Sequence, residues 1–242
     1  VSCVGGLSDP KNPEFAGMDT YEGKLYRTSR WPHDDVDFAG QRVAVIGTGS
    51  TGIQIIPQIA KSASHLTVFQ RTPNFAAPLG NSPVDVKQRR LNAENHAEIR
   101  AGSRDRLIGA PYPKATSSAM AVSEAEREST YDKYWHEGGL RLIASSFTDL
   151  LIDERANETV SEFVRERIRR RVDDPRTADL LCPTDHPYGS KRPPLETNYY
   201  ETYNLPHVDL VDVKADPIVE LTPSGLRTGS QEYEFDAIVL AI

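Results

Sequence analysis

The chain has 242 residues, of which 38% are hydrophobic and 26% are charged, and its formal net charge is −7 at pH 7. These values are typical of a globular protein that buries its own core. An acidic chain argues against nucleic-acid binding, which needs clustered Lys and Arg. Cys3 and Cys182 make neither a disulfide framework nor a zinc-type spacing, and no apolar stretch predicts a membrane span. We expect no metal, no nucleic-acid partner, no membrane partner and a cytoplasmic location.

The first 38 residues are rich in Pro and Gly, which predicts a linker with tight turns. The chain begins at Val1 rather than Met, and it ends in the apolar run 238–242. Both ends therefore look truncated, and we expect the chain to be part of a longer protein.

The next segment predicts a strand, a helix and a strand. The apolar run Val43–Ile46 is typical of a central parallel strand. Residues 53–60 carry apolar side chains at helical spacing, with Pro57 expected near the first turn, where proline is tolerated. Leu66–Gln70 predicts a second strand, so the segment forms a βαβ unit.

Residues 82–181 are charged and have a helical pattern without a convincing strand. Ser123 and Glu126 form a capping-box signature, which predicts a helix with an aromatic face at Tyr131, Tyr134 and Trp135. A second helix is predicted over 158–172. Its apolar face consists of Val160, Phe163, Val164, Ile168 and Val172.

Sheet patterns return in the last third of the chain. Short strands are predicted at 208–213, 218–221, 226–228 and 235–240, and the last of these should rejoin the parallel sheet. The predicted fold class is therefore α/β, a Rossmann-like parallel sheet with a helical insertion and a small β-meander. The domain assignment follows: 1–38 linker, 39–81 and 182–242 Rossmann-like domain, 82–181 helical insertion.

A glycine motif lies between the first predicted strand and helix. Gly47-Thr48-Gly49-Ser50-Thr51-Gly52 has the G-x-G-x-x-G spacing. Its glycines allow a tight turn, close approach to a pyrophosphate and close helix–strand packing, and the helix N-terminus attracts phosphate. We predict a dinucleotide site here, with Gln54 on the helix also in contact. The alternative is a glycine-rich turn without a ligand.

The residues after the second strand indicate which dinucleotide binds. NAD and FAD sites place Asp or Glu there to hold a ribose hydroxyl, whereas this chain has Gln70-Arg71-Thr72. A guanidinium pairs with a 2′-phosphate instead. We predict NADP(H) bound by Arg71 and Thr72; the alternative is an ordinary surface arginine.

The segment before the glycine motif resembles the fingerprint of type I Baeyer–Villiger flavin monooxygenases, which runs Phe-x-Gly, three residues, His, three residues, Trp-Pro. Gly23, Trp31 and Pro32 match this fingerprint, while Tyr21 replaces Phe and Arg27 replaces His. Further stretches are similar to cyclohexanone and phenylacetone monooxygenases, so the resemblance spans nearly the whole chain. These stretches are Val36–Val43, Phe69–Phe75, Gly189–Pro193 and Tyr199–Asn204.

The resemblance implies several functional residues and partners. The lysine matching Lys191 binds the 2′-phosphate, the arginine matching Arg192 is catalytic beside flavin and nicotinamide, and Trp31 belongs to the cofactor-binding set. FAD would be bound mainly by a domain with its own glycine motif, and the residues resembling the exit from that domain are Val4–Ser8. The implied substrates are a ketone and O₂, the product an ester or lactone, and a further partner the remainder of the parent flavoprotein.

Three alternatives remain. A related flavin monooxygenase would oxidise nitrogen or sulfur, which the departures at Tyr21 and Arg27 keep open. The isolated chain would be a nucleotide-binding module without turnover, since it contains one glycine motif. A self-contained NADP-dependent dehydrogenase would need a Tyr-x-x-x-Lys pair, and Tyr199 and Tyr200 have no Lys at that spacing.

Other reactive or charged residues favour structural roles. The six histidines lack metal-ligand spacing, and Cys182 has no neighbouring Cys or His for nucleophilic catalysis. Asn157-Glu158-Thr159 matches a glycosylation sequon, a triplet that also arises by chance. We expect one basic run to form a solvated helix face: Arg165, Arg167, Arg169, Arg170 and Arg171.

Overall fold

The structure is a computed structural model that describes residues 13–106 and 108–242. These residues separate into two compact units: 13–73, 172–180 and 198–242 form the first, and 74–171 and 181–197 form the second. The division differs from the predicted domains, because 74–81 and 182–197 lie in the second unit. Compactness does not show which residues bind a nucleotide, so the functional domain boundaries stay a prediction.

The described residues form ten strands. In chain order they are β1 (Lys24–Arg27), β2 (Arg42–Ile46), β3 (His65–Gln70), β4 (Ala77–Pro78), β5 (Leu195–Glu196), β6 (Val208–Asp212), β7 (Ile218–Thr222), β8 (Gly225–Thr228), β9 (Glu232–Glu234) and β10 (Ala237–Leu240).

They also form eight α-helices and two short 3₁₀ turns, at Thr28–Arg30 and Ala119–Ala121. The helices are α1 (Ser50–Ile59), α2 (Val86–Glu94), α3 (His96–Ser103), α4 (Glu124–Glu137), α5 (Arg141–Ser145), α6 (Glu154–Arg171), α7 (Pro175–Leu181) and α8 (Tyr199–Thr202). None of them combines the length and apolar character that a membrane crossing requires.

The first unit is built on an all-parallel sheet with strand order β1–β10–β2–β3–β6. An antiparallel meander, β7–β8–β9, accompanies it. The predicted α/β fold class is therefore confirmed, as are the βαβ unit and the return of the last strand to the parallel sheet. β6 was predicted as one of several short strands, and it forms an edge of the same sheet.

β1 lies in the segment that the sequence predicted to be a linker without strands. Its four residues pair in parallel with β10, from Lys24 opposite Ala237 to Arg27 opposite Leu240. Neighbouring Pro and Gly residues hide so short an edge strand in the sequence, and the strand with which it pairs lies 213 positions later.

The sheet packs against the meander through a cluster of buried apolar side chains. Alternation along β2 sends Ala44 and Ile46 to this face and Val43 and Val45 to the opposite one. Phe69 completes the contact with edge-to-face packing on Tyr233 and Phe235, at centroid distances of 5.3 and 5.9 Å. The remaining cluster members are Leu221, Leu226, Ile238 and Leu240.

α1 follows the glycine motif and buries the apolar face that the sequence predicted. Ile53, Ile56 and Ile59 are at most 2% exposed. Pro57 lies in the second half of this helix and is buried, rather than near the first turn as predicted. The helix therefore lacks the hydrogen bond that residue 57 would donate to the Ile53 carbonyl.

The second unit is helical, with the two-residue pair β4–β5 as its only sheet among the described residues. Ser123 caps α4 by accepting from the Glu126 backbone N–H, which confirms the capping box. Tyr131 and Trp135 are buried as predicted, while Tyr134 is half-buried. α6 buries the predicted apolar positions, with Val160, Val164 and Ile168 all fully buried.

Candidate functional site

The glycine turn lies at the carboxyl end of β2, where the sheet has β3 on one side and β10 on the other. The Gly47 N–H donates to the Phe69 carbonyl at 3.0 Å, and the Ala241 N–H donates to the Ile46 carbonyl at 2.9 Å. Such a position at the carboxyl edge of a parallel sheet is where α/β folds bind ligands.

Two of the three glycines are required by close packing. Gly47 has a φ of +108°, and a Cβ there would lie 2.7 Å from the Ala241 carbonyl oxygen. A Cβ on Gly52 would lie 2.1 Å from the Gly47 carbonyl oxygen, so only glycine lets α1 approach the turn this closely.

The N-terminal end of α1 is open. Gly49 is the N-cap residue and provides no side-chain cap, and a Cβ built on it would meet no atom within 4 Å. Gly49, Ser50 and Thr51 are exposed. The first-turn N–H groups and the positive end of the helix dipole therefore face a space that an anion can enter.

Thr48 and Thr72 connect the glycine turn to the end of β3. Thr48 is 6% exposed, and its hydroxyl donates to the Thr72 carbonyl at 3.3 Å. The hydroxyl of this predicted binding residue is thus used within the protein. Gln54 lies exposed on α1.

Gln70 and Arg71, at the end of β3, have different environments. Gln70 is 3% exposed, and its side-chain amide donates to the Leu180 carbonyl at 2.7 Å. Arg71 is exposed and has no hydrogen bond or ion pair with any residue that the structure describes. The position after the second strand therefore offers an available guanidinium and no carboxylate.

The fingerprint segment packs on itself and on the sheet. Trp31 contacts Tyr26 and Phe38, at centroid distances of 5.4 and 6.4 Å. Tyr21 donates its hydroxyl to the Phe235 carbonyl at 3.0 Å, and burial raises its pKa to about 12. The hydroxyl that distinguishes Tyr21 from the expected Phe therefore has a partner, so this departure fits the fold. Val4–Ser8 and Cys3 lie outside the described residues.

Lys191 and Arg192 belong to the second unit and are exposed. Their side chains have no hydrogen bond or ion pair with the residues described. The preceding segment, 182–190, is bound to α6 through Asn157, Ser161 and Arg165. Sequence reasoning missed Asn157 as a structural residue, because it lies one position before the helix predicted over 158–172, whereas α6 begins at Glu154.

The arginine run on α6 is only partly the solvated face that was predicted: Arg169 and Arg170 are exposed, whereas Arg165 is buried. Arg165 is 9% exposed and pairs with Glu158 and Glu162 at 2.8 and 2.9 Å, and Arg167 pairs with Asp132. The pattern was misread because the acidic partners come from preceding turns of α6 and from α4. The other three members pair as well: Arg169 with Glu162, Arg170 with Glu166 and Arg171 with Glu196.

Asn157 and Cys182 are both buried. All hydrogen-bonding positions of the Asn157 side chain are occupied, so the sequon is not available for glycosylation in the folded protein. Cys182 is in no disulfide with a described residue, and its thiol donates to the Arg165 carbonyl at 3.7 Å. Within 13–106 and 108–242, no three His, Cys, Asp or Glu side chains are grouped to hold a metal ion.

The fold and the open helix terminus define a Rossmann-like α/β unit, and the chain also contains a helical unit. No protein-family model matches the chain. It is 42% identical over its whole length to the 2-oxo-Δ3-4,5,5-trimethylcyclopentenylacetyl-CoA monooxygenase of Pseudomonas putida and covers 45% of that protein. It is also 42% identical to a phenazine N-monooxygenase of Lysobacter antibioticus and 37% identical to a Baeyer–Villiger monooxygenase of Pseudooceanicola batsensis, covering 44% of each.

Solved structures agree with these relatives. The structure of OTEMO in complex with FAD and NADP matches 99% of the chain with a TM-score of 0.96 and 42% identity, and the chain covers 45% of that protein. Oxidised steroid monooxygenase bound to NADP matches 97% with a TM-score of 0.92 and 46% identity, again with 45% covered. The chain is therefore similar over its whole length to a Baeyer–Villiger monooxygenase and to other monooxygenases, and it spans a little under half the length of each of them.

Proposed function

We propose that this chain binds NADPH for an FAD-dependent Baeyer–Villiger monooxygenase, which inserts one oxygen atom of O₂ beside a ketone carbonyl to give an ester or lactone. The observation that carries the cofactor assignment is the unpaired Arg71 directly after β3, combined with the open N-terminus of α1. The activity, the ketone and the need for FAD come from the relatives, whose names and bound cofactors support them.

The first unit fits the cofactor chemically. A pyrophosphate needs N–H donors and close backbone approach, which Gly47–Gly52 provide, and the empty space over Gly49 leaves room for it. Arg71, with Thr72 beside it, would pair with the 2′-phosphate that distinguishes NADPH from NADH. Gln54 and Trp31 complete the proposed binding set.

The second unit contributes two exposed cations to the same proposal. By the family resemblance, Lys191 binds the 2′-phosphate and Arg192 acts beside the reacting groups. NADPH supplies the hydride and FAD the oxygen activation when both are bound. Arg192, as a permanent cation, would stabilise negative charge that develops during the reaction. The proposal includes a cytoplasmic location, the default for a chain whose two cysteines make no disulfide framework in the sequence.

The test of the cofactor assignment is the variant Arg71→Ala. A charge-assisted hydrogen bond is worth about 1.5–3 kcal/mol, so NADPH binding should weaken roughly 10- to 100-fold. NADH lacks the 2′-phosphate, so its affinity should barely change. The measurement is calorimetric titration of both dinucleotides into the full-length protein and the variant. Equal losses for NADPH and NADH would refute the role of Arg71.

A second candidate is oxidation of nitrogen rather than insertion of oxygen beside a ketone. The phenazine N-monooxygenase is as similar to this chain as the first relative, at 42% identity over the whole chain. Both candidates use the same dinucleotide site, so the geometry of the described residues does not separate them. A module that binds NADP without turnover is the alternative for the isolated chain.

A further inference from the structure

α6 has a buried polar stripe. Asn157, Ser161 and Arg165 follow one another at intervals of four residues, so they lie on one face of the helix. Their exposed fractions are 7%, 0% and 9%. A helix normally fills its buried face with apolar side chains, and buried polar groups are retained when hydrogen bonds compensate their loss of water. The partners of this stripe therefore indicate its purpose.

Asn157 binds the backbone of Tyr188 from both sides. Its Nδ2 donates to the carbonyls of Tyr188 at 2.8 Å and Leu150 at 2.7 Å. Its Oδ1 accepts from the Tyr188 N–H at 2.9 Å and from the Ser161 hydroxyl at 3.0 Å. The side chain thus uses two donors and two acceptor positions, and it bonds both the N–H and the carbonyl of Tyr188 as a strand partner would.

The other two members of the stripe hold the same segment. The Ser161 hydroxyl accepts from the Tyr188 N–H at 3.2 Å. Arg165 donates its Nε hydrogen to the Pro183 carbonyl at 2.8 Å, while its Nη1 pairs with Glu158 and Glu162. The chain from Pro183 to Tyr188 is therefore fixed to α6 at both ends.

Packing also holds the backbone immediately before Lys191 and Arg192. Tyr188 is fully buried and meets Phe75 edge to face at 5.4 Å. Gly189 has a φ of +85°, and a Cβ there would lie 3.0 Å from Ile143 Cδ1. Ser190, Lys191 and Arg192 are exposed. The backbone thus passes within four residues from a fully anchored position to two exposed cationic side chains.

We propose that Asn157 is a positioning residue that, with Ser161 and Arg165, orders the backbone that carries Lys191 and Arg192 before the nucleotide binds. The inference rests on the proposed function, in which Lys191 binds the 2′-phosphate. A cation on a loose loop must lose backbone and side-chain freedom when it binds. Anchoring Tyr188 in the free protein lowers this cost, because the loop is ordered before the nucleotide arrives.

The test compares Asn157→Ala with Thr159→Val in the full-length protein. Thr159 is a matched control, since it lies on α6 and its hydroxyl is 2.8 Å from the Tyr131 hydroxyl, away from the anchored segment. We expect Asn157→Ala to weaken NADPH binding about tenfold and to leave NADH binding unchanged. Thr159→Val should change neither affinity, even where both variants lower the melting temperature. Ser161→Ala, which removes one of two acceptors from the Tyr188 N–H, is the milder variant if Asn157→Ala fails to fold.

A double-mutant cycle with Lys191→Ala shows whether Asn157 acts through the lysine. If it does, Asn157→Ala causes no further loss of NADPH affinity once Lys191 is removed. Full NADPH preference in Asn157→Ala and Ser161→Ala, with that preference lost in Lys191→Ala, would overturn the positioning role alone. A preference retained by Lys191→Ala would also overturn it. A wild-type protein that binds NADPH no better than NADH would instead overturn the proposed function.

Discussion

The three glycines of the turn after β2 differ in backbone conformation and in the atoms that surround them. Gly47 is required by its positive φ and by the nearby Ala241 carbonyl, and Gly52 by the Gly47 carbonyl 2.1 Å from the position of its Cβ. Gly49 has an ordinary extended conformation and empty space around it. Two of the glycines are therefore explained by the packing of the protein itself, and for the third we propose that the empty space admits a ligand.

This difference predicts opposite results for two alanine variants. Gly47→Ala forces a strained backbone, which costs about 1–3 kcal/mol, so the melting temperature should fall. Gly49→Ala should leave the melting temperature unchanged and weaken NADPH binding at least about tenfold, because its methyl group occupies the space proposed for the pyrophosphate. Thermal unfolding and equilibrium titration of both variants measure these effects. Undiminished NADPH binding by Gly49→Ala would contradict the proposed location of the pyrophosphate.

Single residues also show where sequence reasoning was incomplete. Gln70 was interpreted only as the absence of a ribose-binding acid, but its amide also ties the end of β3 to Leu180. The sequence analysis considered Asn157 only as part of a glycosylation sequon. In the structure its side chain forms hydrogen bonds with Tyr188, in the segment before Lys191. Such roles depend on partners 110 and 31 positions away, and spacing along the chain does not reveal those partners.

Among the elements of the second unit, the 3₁₀ turn Ala119–Ala121 is held by one buried carboxylate. Asp149 accepts from the Ser118 hydroxyl at 2.5 Å and from the Ala119 backbone N–H at 2.8 Å. Burial alone would raise the pKa of Asp149, but these hydrogen bonds and a further one from the Met120 N–H bring the pKa below its ordinary value. The carboxylate form is therefore bound more strongly in the folded chain than in the unfolded one.

The lowered pKa of Asp149 predicts a pH-dependent contribution to stability. Its stabilisation should be complete above the ordinary aspartate pKa of about 3.9 and be lost as the pH falls through the lower pKa of the folded state. Asp149→Asn should lower the free energy of unfolding by about 1–3 kcal/mol at neutral pH, and the difference from wild type should shrink in acid. Denaturant titrations across this range measure it, with the exposed Asp34→Asn as control. A difference independent of pH would show that the charge of Asp149 contributes nothing.

α6 makes contacts through apolar side chains and through arginines, and its sequence predicted only the apolar contacts. Its apolar residues were predicted correctly, while its arginines were assigned to solvent. In the structure the ion pairs of this run link α6 to α4 through Arg167 and to β5 through Arg171. The helix therefore supports the second unit with charged as well as apolar side chains.

At the scale of the whole molecule, the chain covers a little under half the length of its curated relatives. The described residues contain one open glycine turn, which we assign to NADPH. In the proposed function this unit supplies NADPH to a flavin, so the identity of the oxidised atom has to be tested with the full-length protein.

Product analysis of the full-length protein tests the proposed activity. With FAD, NADPH and O₂ present, we expect a cyclic ketone to yield its lactone, with consumption of one NADPH per product. Chromatography with mass spectrometry, with Arg192→Ala as the control expected to lose turnover, measures this. Formation of N-oxides or S-oxides without any ester or lactone would favour the second candidate.

The sequence by itself determined the parallel βαβ unit, the glycine turn and the arginine after β3, because local patterning and spacing encode these features. Only the tertiary structure decided that residues 24–27 form an edge strand, that the arginines of α6 are paired and that Asn157 anchors the segment before Lys191. These features depend on groups that are distant in sequence and meet only when the chain is folded. Hydrophobic periodicity records which face of an element is buried, and it does not record which polar groups will satisfy one another there.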